Sequence, residues 1–195
     1  MASLARKGPL HGREPWQGQG LHFADDARTG LLLLRGRTDE AIEQRIASLL
    51  GCRLPGRPII VERGARARAL KLAPWRWMIF VDRPAAAGLL RQLRDILADS
   101  PVVVSDVSDG HAHIRLEGPR ATDLLAAGTA VDLHPGVFST GHAVQTELAR
   151  ARCLIWRDDE VAWSLLVDVS AAEYVWTWLT TNAELTIAAH HHTGR

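Results

Sequence analysis

The order in which strand-type and helix-type apolar patterns follow one another constrains the fold of this chain most. Residues 30–35 form a short apolar strand, and the next apolar stripe recurs every three or four residues, as on one buried face of a helix. Thr38 can cap the start of this helix, and Gly51 can supply the left-handed residue that ends it. The stripe itself consists of Ile42, Ile46, Leu49 and Leu50.

A second strand-and-helix pair follows in the first half. Prolines and glycines mark residues 53–68 as a loop around a brief strand, Ile59–Val61, and residues 69–81 form a strand pattern that Pro74 interrupts. Pro84 suits the first turn of a helix. The apolar stripe of that helix consists of Leu89, Leu90, Leu93, Ile96 and Leu97.

The second half predicts strands that pair as hairpins, with two further helices. From residue 111 to 117 apolar and polar side chains alternate, so that Ala112, Ile114 and Leu116 face the core and the intervening polar residues face solvent. Further strands are expected at 102–104, 144–156 and 161–167, with a turn at 158–160. A short helix is expected within 119–128, and the last helix follows residue 170.

The last helix carries most of the distinctive aromatic residues. Ser170 and Glu173 have the spacing of a capping box, in which each side chain satisfies a main-chain amide. Trp176 and Trp178 lie about 200° apart around a helix, so they cannot face the same core. We expect Trp178 to face inward with Tyr174, and Trp176 to lie nearer the edge, against a partner surface or a flanking loop; core packing alone is the alternative.

This order of elements predicts an α+β fold, with a mixed or antiparallel sheet layered by helices. We expect a flexible N-terminal tail at 1–20 and a single domain at 21–185. The domain would consist of two halves, 21–100 and 101–185, and be followed by a C-terminal tail at 186–195.

Composition is that of a globular protein, with 47% hydrophobic and 23% charged residues in 195. The longest apolar runs are only a few residues, such as Leu31–Leu34, too short to span a bilayer. No apolar segment follows Arg6 and Lys7, so we expect no secretory signal and a cytoplasmic location. Residues 1–95 contain 17 Arg and Lys against 9 Asp and Glu, whereas residues 96–195 contain 6 against 13. The basic half could face an anionic partner, or its arginines could simply be solvated.

Candidate chemical sites are few. Cys52 and Cys153 belong to no Cys-x-x-Cys pair, so we expect two buried free thiols. Asp132 and His134 could form a general-base pair, but His134 precedes Pro135 and no nucleophile motif accompanies it. We therefore favour a role for Asp132 in capping loop amides.

A metal site would require histidines that share one face. His111 and His113 lie two residues apart on a strand, and Asp109 or His142 would have to complete the site. Exposed polar alternation explains the pair without a metal. The terminal run His190–His192 is expected to be a tail without an ordered site. No Gly-x-Gly-x-x-Gly or P-loop pattern predicts a nucleotide site.

A longer motif dominates the second half of the chain. Gly118–Gly128 is followed by Val131–Pro135, by Phe138 and Gly141, and by Gln145-Thr146, and the chain ends its pattern with the aromatic segment 174–179. This order resembles the gamma subunit of heterotetrameric sarcosine oxidase. It also resembles a shortened first domain of the glycine-cleavage aminomethyltransferases, which implies a folate-binding type of fold.

The resemblance implies a non-catalytic subunit that packs against large flavoprotein subunits. The complex would convert sarcosine, O2 and tetrahydrofolate to glycine, hydrogen peroxide and 5,10-methylenetetrahydrofolate. FAD, FMN, NAD, zinc and tetrahydrofolate would then belong to the alpha, beta and delta subunits. We accordingly predict no catalytic, cofactor-binding or metal-binding residue on this chain.

Three alternatives remain open from sequence. The complex could be a related N-methyl amino acid dehydrogenase. The chain could instead bind folate by itself, in which case the stretch Asp168–Trp176 would face the ligand, although capping already accounts for Glu173. A nucleic-acid-binding module is a third reading of the arginine-rich half, where Trp75 and Trp77 flank Arg76. The aromatic-glycine strand signature of RNA-binding sheets is absent, so we expect neither nucleic-acid nor membrane partners.

Overall fold

The computed structural model describes residues 8–57 and 60–193, with backbone alone from residue 187. The strands are β1 Trp16–Gly18, β2 Leu21–Asp25, β3 Thr29–Arg35, β4 Val61–Arg63, β5 Arg68–Ala73, β6 Arg76–Asp82, β7 Val103–Asp106, β8 His111–Glu117, β9 Ala143–Leu148, β10 Ala151–Arg157 and β11 Ala162–Asp168. The helices are α1 Glu40–Leu50, α2 Arg83–Leu97, α3 Ala121–Ala126 and α4 Ala172–Thr193. Among the described residues, no helix has both the length and the apolarity needed to cross a membrane.

The strands form two sheets, one in each of two compact units. The five-stranded unit comprises residues 27–108 and 141–144, and its sheet has the order β4-β5-β6-β3-β7. The six-stranded unit comprises the described parts of 1–26, 109–140 and 145–195, with the order β1-β2-β8-β11-β10-β9. The units therefore do not divide at residue 100, because β2 pairs with the distant strand β8. Helices on antiparallel sheets confirm the predicted α+β class.

In the five-stranded unit, α1 and α2 share the core with one sheet face. Asp39 caps α1, one residue after the predicted cap, because its Oδ1 accepts a hydrogen bond from Ile42 N at 2.8 Å. Gly51 ends α1 in the left-handed region with φ 75°, as predicted. Pro84 lies in the first turn of α2, also as predicted. Buried members of this core are Leu32, Leu34, Ile46, Leu50, Trp77, Ile79, Leu89, Leu93 and Leu97.

In the six-stranded unit, Gly118 connects β8 to α3 through a backbone junction. Gly118 N donates to Val161 O at 2.9 Å, and Arg120 N donates to Gly20 O at 3.1 Å. The φ of Gly118 is 118°, and a Cβ there would overlap Gly20 O and lie 2.8 Å from its carbonyl carbon. Only glycine fits this position without strain, because the turn between β1 and β2 passes directly against it.

The long strand predicted at 144–156 is two strands, β9 and β10. The chain reverses at Ala149 and Arg150, which have φ values of 50° and 69°. Two successive left-handed residues make a tight hairpin turn, for which Gly, Asn and Asp are preferred. The turn is fixed by hydrogen bonds from Ala149 N to Gly128 O and from the Tyr174 hydroxyl to Ala149 O, both 2.8 Å.

Both predicted tails contain ordered secondary structure where the chain is described. Leu10 is buried, and β1 pairs with β2 while the Trp16 ring stacks on Phe23 at 5.2 Å. Because these apolar side chains are packed and β1 is paired, residues 8–20 are not the flexible tail that the sequence predicted. At the other end, α4 continues through residue 193 instead of stopping near 185. Of the predicted strand Ile59–Val61, Ile59 lies outside the described residues, and Val61 begins β4.

The start of α4 also differs from the prediction. The side chain that accepts a hydrogen bond from a main-chain amide here is that of Asp168, not that of Ser170. Asp168 Oδ1 accepts from Ser170 N at 2.9 Å. Trp176 is buried and meets Phe23 edge-on at 5.3 Å, whereas Tyr174 is 53% exposed and Trp178 is half-buried. The predicted environments of the two tryptophans are therefore exchanged, because the buried face of α4 consists of Val175, Trp176 and Leu179.

Candidate functional site

The Asp132–His134 segment is a hydrogen-bonded loop. Asp132 Oδ1 accepts from the main-chain amide of His134 at 2.9 Å, and His134 Nδ1 accepts from Gly136 N at 3.1 Å. The His134 carbonyl accepts from two more amides, those of Val137 and Phe138. The carboxylate thus contacts the main chain of His134, as the loop-capping interpretation predicted, and Asp132 and His134 are both exposed.

His113 is buried, which the alternation of β8 did not predict. Its ring stacks on Trp156 at 5.2 Å, and its Nδ1 lies 3.6 Å from Asp26 Oδ2. His111, two residues earlier, is half-buried and pairs in register with Asp168. Among the side chains of residues 8–57 and 60–186, no group of three or more His, Cys, Asp or Glu is arranged to hold a metal ion, and the side chains of His190–His192 lie outside the described residues.

A buried carboxylate, Asp158, organises the polar side chains of the six-stranded unit. Trp156 Nε1 donates to Asp158 Oδ1 at 3.2 Å, and the Ser164 hydroxyl donates to Asp158 Oδ2. Arg115 lies 3.7 Å from the same Oδ2. Burial lowers the pKa of Arg115, but its hydrogen bond to Glu117 and the charge of Asp158 outweigh burial and raise it. The sequence predicted a turn at 158–160 without this network, and the lone Ser164 within an apolar strand was the available signal for it.

Arg157 is the most deeply buried arginine of the described chain at 5% exposure. Its guanidinium donates to three main-chain oxygens, those of Asp159, Phe138 and Glu160, at 2.7–3.0 Å. It also lies over the Trp163 ring at 5.4 Å. The arginine therefore joins the β10–β11 turn to the loop that contains Phe138, and all of these contacts stabilise the fold.

The stretch Asp168–Trp176, which would face folate in the alternative hypothesis, makes its polar contacts within the six-stranded unit. Hydrogen bonds from the Ser170 hydroxyl and amide lower the pKa of Asp168. Glu173 forms an ion pair with Arg13, and Trp176 is buried against the sheet. Each polar or aromatic side chain that could meet a ligand here thus has a contact within the six-stranded unit.

Both cysteines are free thiols, but only Cys153 is buried as predicted. Cys153 is buried, and its Sγ donates to Thr146 O at 3.6 Å. Burial raises the pKa of Cys153 to about 12, which keeps it a thiol at neutral pH. Cys52 is half-buried, and burial also raises its pKa. Neither side chain has the lowered pKa of a nucleophilic cysteine.

Trp75 and Trp77 have different environments. Trp77 lies on β6 in the core, and its Nε1 donates to Pro55 O at 3.1 Å. Trp75 lies in the β5–β6 turn and is 52% exposed. The two rings therefore form no continuous stacking platform of the kind that RNA-binding sheets use.

Comparisons with known proteins agree with the motif of the second half. The chain matches the model of the sarcosine oxidase, gamma subunit family, over residues 35–184. Sarcosine oxidase subunit gamma of Corynebacterium sp. (strain U-96) is 32% identical over 151 residues, which are 77% of this chain and 71% of that protein. The corresponding subunit of Arthrobacter sp. is 33% identical over 69% of this chain and 66% of its own length.

Solved structures give the same relationship. A chain of heterotetrameric sarcosine oxidase from Corynebacterium sp. U-96, solved with pyrrole 2-carboxylate, matches with a TM-score of 0.80 and 28% identity, covering 89% of this chain and 92% of that one. Aminomethyltransferase T of the glycine cleavage system from Bartonella henselae has a TM-score of 0.61 at 13% identity, over 82% of this chain and 45% of that one, so it shares the fold. The family match over most of the sequence shows that the chain belongs to the sarcosine oxidase gamma subunit family.

Proposed function

We propose that this chain is the non-catalytic gamma subunit of a heterotetrameric sarcosine oxidase and packs against its large flavoprotein subunits. The observation that carries the proposal is the match to a chain of the Corynebacterium enzyme over nearly the full length of both chains. Within the proposal, alpha, beta and delta subunits hold FAD, FMN, NAD, zinc and tetrahydrofolate, and the complex works in the cytoplasm.

The contacts of the polar side chains support a structural role. Arg157 and Asp158 are buried in networks that join turns of the six-stranded unit, and Asp132 accepts from one main-chain amide of its own loop. A group that binds a substrate needs an open position for it. These side chains instead form hydrogen bonds within the chain and stabilise its turns and loops. Such contacts suit a subunit that supplies a rigid surface.

Co-expression tests the proposal directly. The chain would be tagged and expressed with and without companion alpha, beta and delta subunits, and the purified fractions would be assayed for sarcosine-dependent hydrogen peroxide formation. We expect the four chains to co-purify and the complex to oxidise sarcosine, whereas the chain alone does not. Sarcosine oxidation by the isolated chain, or no co-purification of the four chains, would contradict the proposal.

A titration with tetrahydrofolate separates this proposal from an independent folate-binding protein. The readout is the fluorescence of the seven tryptophans, of which Trp176 ends the stretch that would face the ligand and Trp178 follows it on α4. We expect no saturable change, because Glu173 is paired with Arg13. A saturable change that Glu173→Gln abolishes would favour the folate hypothesis.

A further inference from the structure

One end of the five-stranded sheet carries an exposed cluster of arginines around a tryptophan. The cluster, called the Trp75 surface below, consists of Arg35, Arg37, Trp75, Arg76 and Val103. All five residues are exposed, Trp75 by 52% and Val103 by 62%. Tryptophan and arginine are the residue types most enriched among those that dominate binding at protein interfaces.

The strand register brings two like charges together. Arg35 on β3 is directly opposite Arg76 on β6, and Val103 on β7 is opposite Arg35 on its other side. Directly opposed residues of an antiparallel pair project from the same face, so the three side chains form a row across β7, β3 and β6. Like charges in this arrangement repel one another and destabilise the sheet.

The described residues provide no carboxylate for this row. Neither Arg35 nor Arg76 forms an ion pair within residues 8–57 and 60–186. The carboxylates that follow in sequence are used by α1, since Asp39 caps it and Glu40 accepts a hydrogen bond from Gln44. An external anion would relieve the repulsion, and carboxylates suit it because guanidinium groups bind them in a bidentate manner.

Trp75 occupies a turn position for which a glycine would be the easier choice. It follows Pro74 in the β5–β6 turn with φ 53°, and its carbonyl accepts from Gly36 N at 3.0 Å. A bulky residue at positive φ is strained. The ring is nevertheless held outward, with the Arg37 guanidinium over it at 5.4 Å.

We propose that the Trp75 surface docks onto an acidic patch of a companion subunit, with Trp75 and Val103 as apolar contacts and Arg35 and Arg76 paired to carboxylates. This inference rests on the proposed function, which supplies the companion. A protein partner fits better than a nucleic acid, because Arg37 covers one face of the Trp75 ring and three arginines are few for a phosphate backbone.

The test uses the full chain co-expressed with the alpha, beta and delta subunits. Trp75→Gly removes the ring and relieves the turn, so we expect binding about 10- to 100-fold weaker with an unchanged or higher thermal midpoint. Arg35→Glu combined with Arg76→Glu is expected to weaken binding at least about 100-fold. Arg91→Glu combined with Arg94→Glu makes the same charge change on the exposed side of α2 and is the matched control.

The outcomes separate the two proposals. Loss of binding in both test variants but not in the control supports the Trp75 surface. Normal binding by the test variants, or equal loss in the control, overturns it while the proposed function stands. Failure of the unaltered chain to co-purify overturns both. Retention of a single-stranded RNA at 150 mM salt, lost in the Arg35/Arg76 variant while subunit binding persists, replaces the docking surface with a nucleic-acid site.

Discussion

Replacement of Gly118 by alanine tests the backbone junction that begins the family motif. The added methyl group would meet main-chain atoms of Gly20 and Leu21, which cannot rotate away as a side chain can. Strain at positive φ costs about 1–3 kcal/mol, and overpacking costs about 1–3 kcal/mol. We therefore expect Gly118→Ala to lower the free energy of unfolding by about 2–6 kcal/mol.

The measurement is a urea titration followed by tryptophan fluorescence, together with thermal unfolding followed by circular dichroism. For a chain of this size the expected loss corresponds to a midpoint roughly 4–24 °C lower. Gly110→Ala is the control in the same unit, because an added Cβ there meets no atom within 4 Å and its φ is not positive. If the two variants unfold at the same midpoint, the close approach of Gly20 does not exclude a side chain at residue 118, and the reasoning is wrong.

Three further predictions concern buried groups. Arg157→Lys is expected to destabilise the six-stranded unit by about 2–4 kcal/mol in urea, since an ammonium cannot reach all three carbonyls; an unchanged midpoint would contradict the buried network. Burial and the charge of Asp26 raise the pKa of Asp25, so the native state favours its protonated form and loses this stabilisation as pH rises above about 4. Asp25→Asn should therefore raise the thermal midpoint at pH 7 but not at pH 3.5. An equal rise at both pH values would contradict the upward shift of the Asp25 pKa. In the folded chain at pH 8, a disulfide reagent is expected to leave Cys153 unmodified and to label it only after unfolding, whereas rapid native labelling would show that Cys153 is not buried.

The helices and strands of the five-stranded unit were predicted well, because the residues that start and end them lie within the same short segments of sequence. The stripe of α1 has a glycine stop, and Pro84 marks the start of α2, so both helices and the flanking strands follow from sequence. The hairpin at Ala149 and Arg150 could not be found in this way, because neither residue is typical of a left-handed turn. Contacts with Gly128 and Tyr174 hold it instead, and these depend on the tertiary structure.

The candidate site shows the same division. Family membership was predicted from a motif and is confirmed. The burial of His113 was missed, since polar alternation was assumed to mark a solvated face. The His113 ring stacks on Trp156, which lies 43 positions later in the chain. Local spacing cannot predict such a distant contact. The like-charged pair of Arg35 and Arg76 likewise appears only when the strand register is known.

The pairing of β2 with β8 has a consequence for how the protein is made. On the ribosome β2 is complete at Asp25, but its partner strand begins only at His111. At about 5–20 residues per second, the edge of β2 that pairs with β8 remains unpaired for on the order of ten seconds. An isolated two-stranded hairpin is marginally stable in water, so nascent chains are most open to chaperones and to edge-to-edge aggregation during that interval.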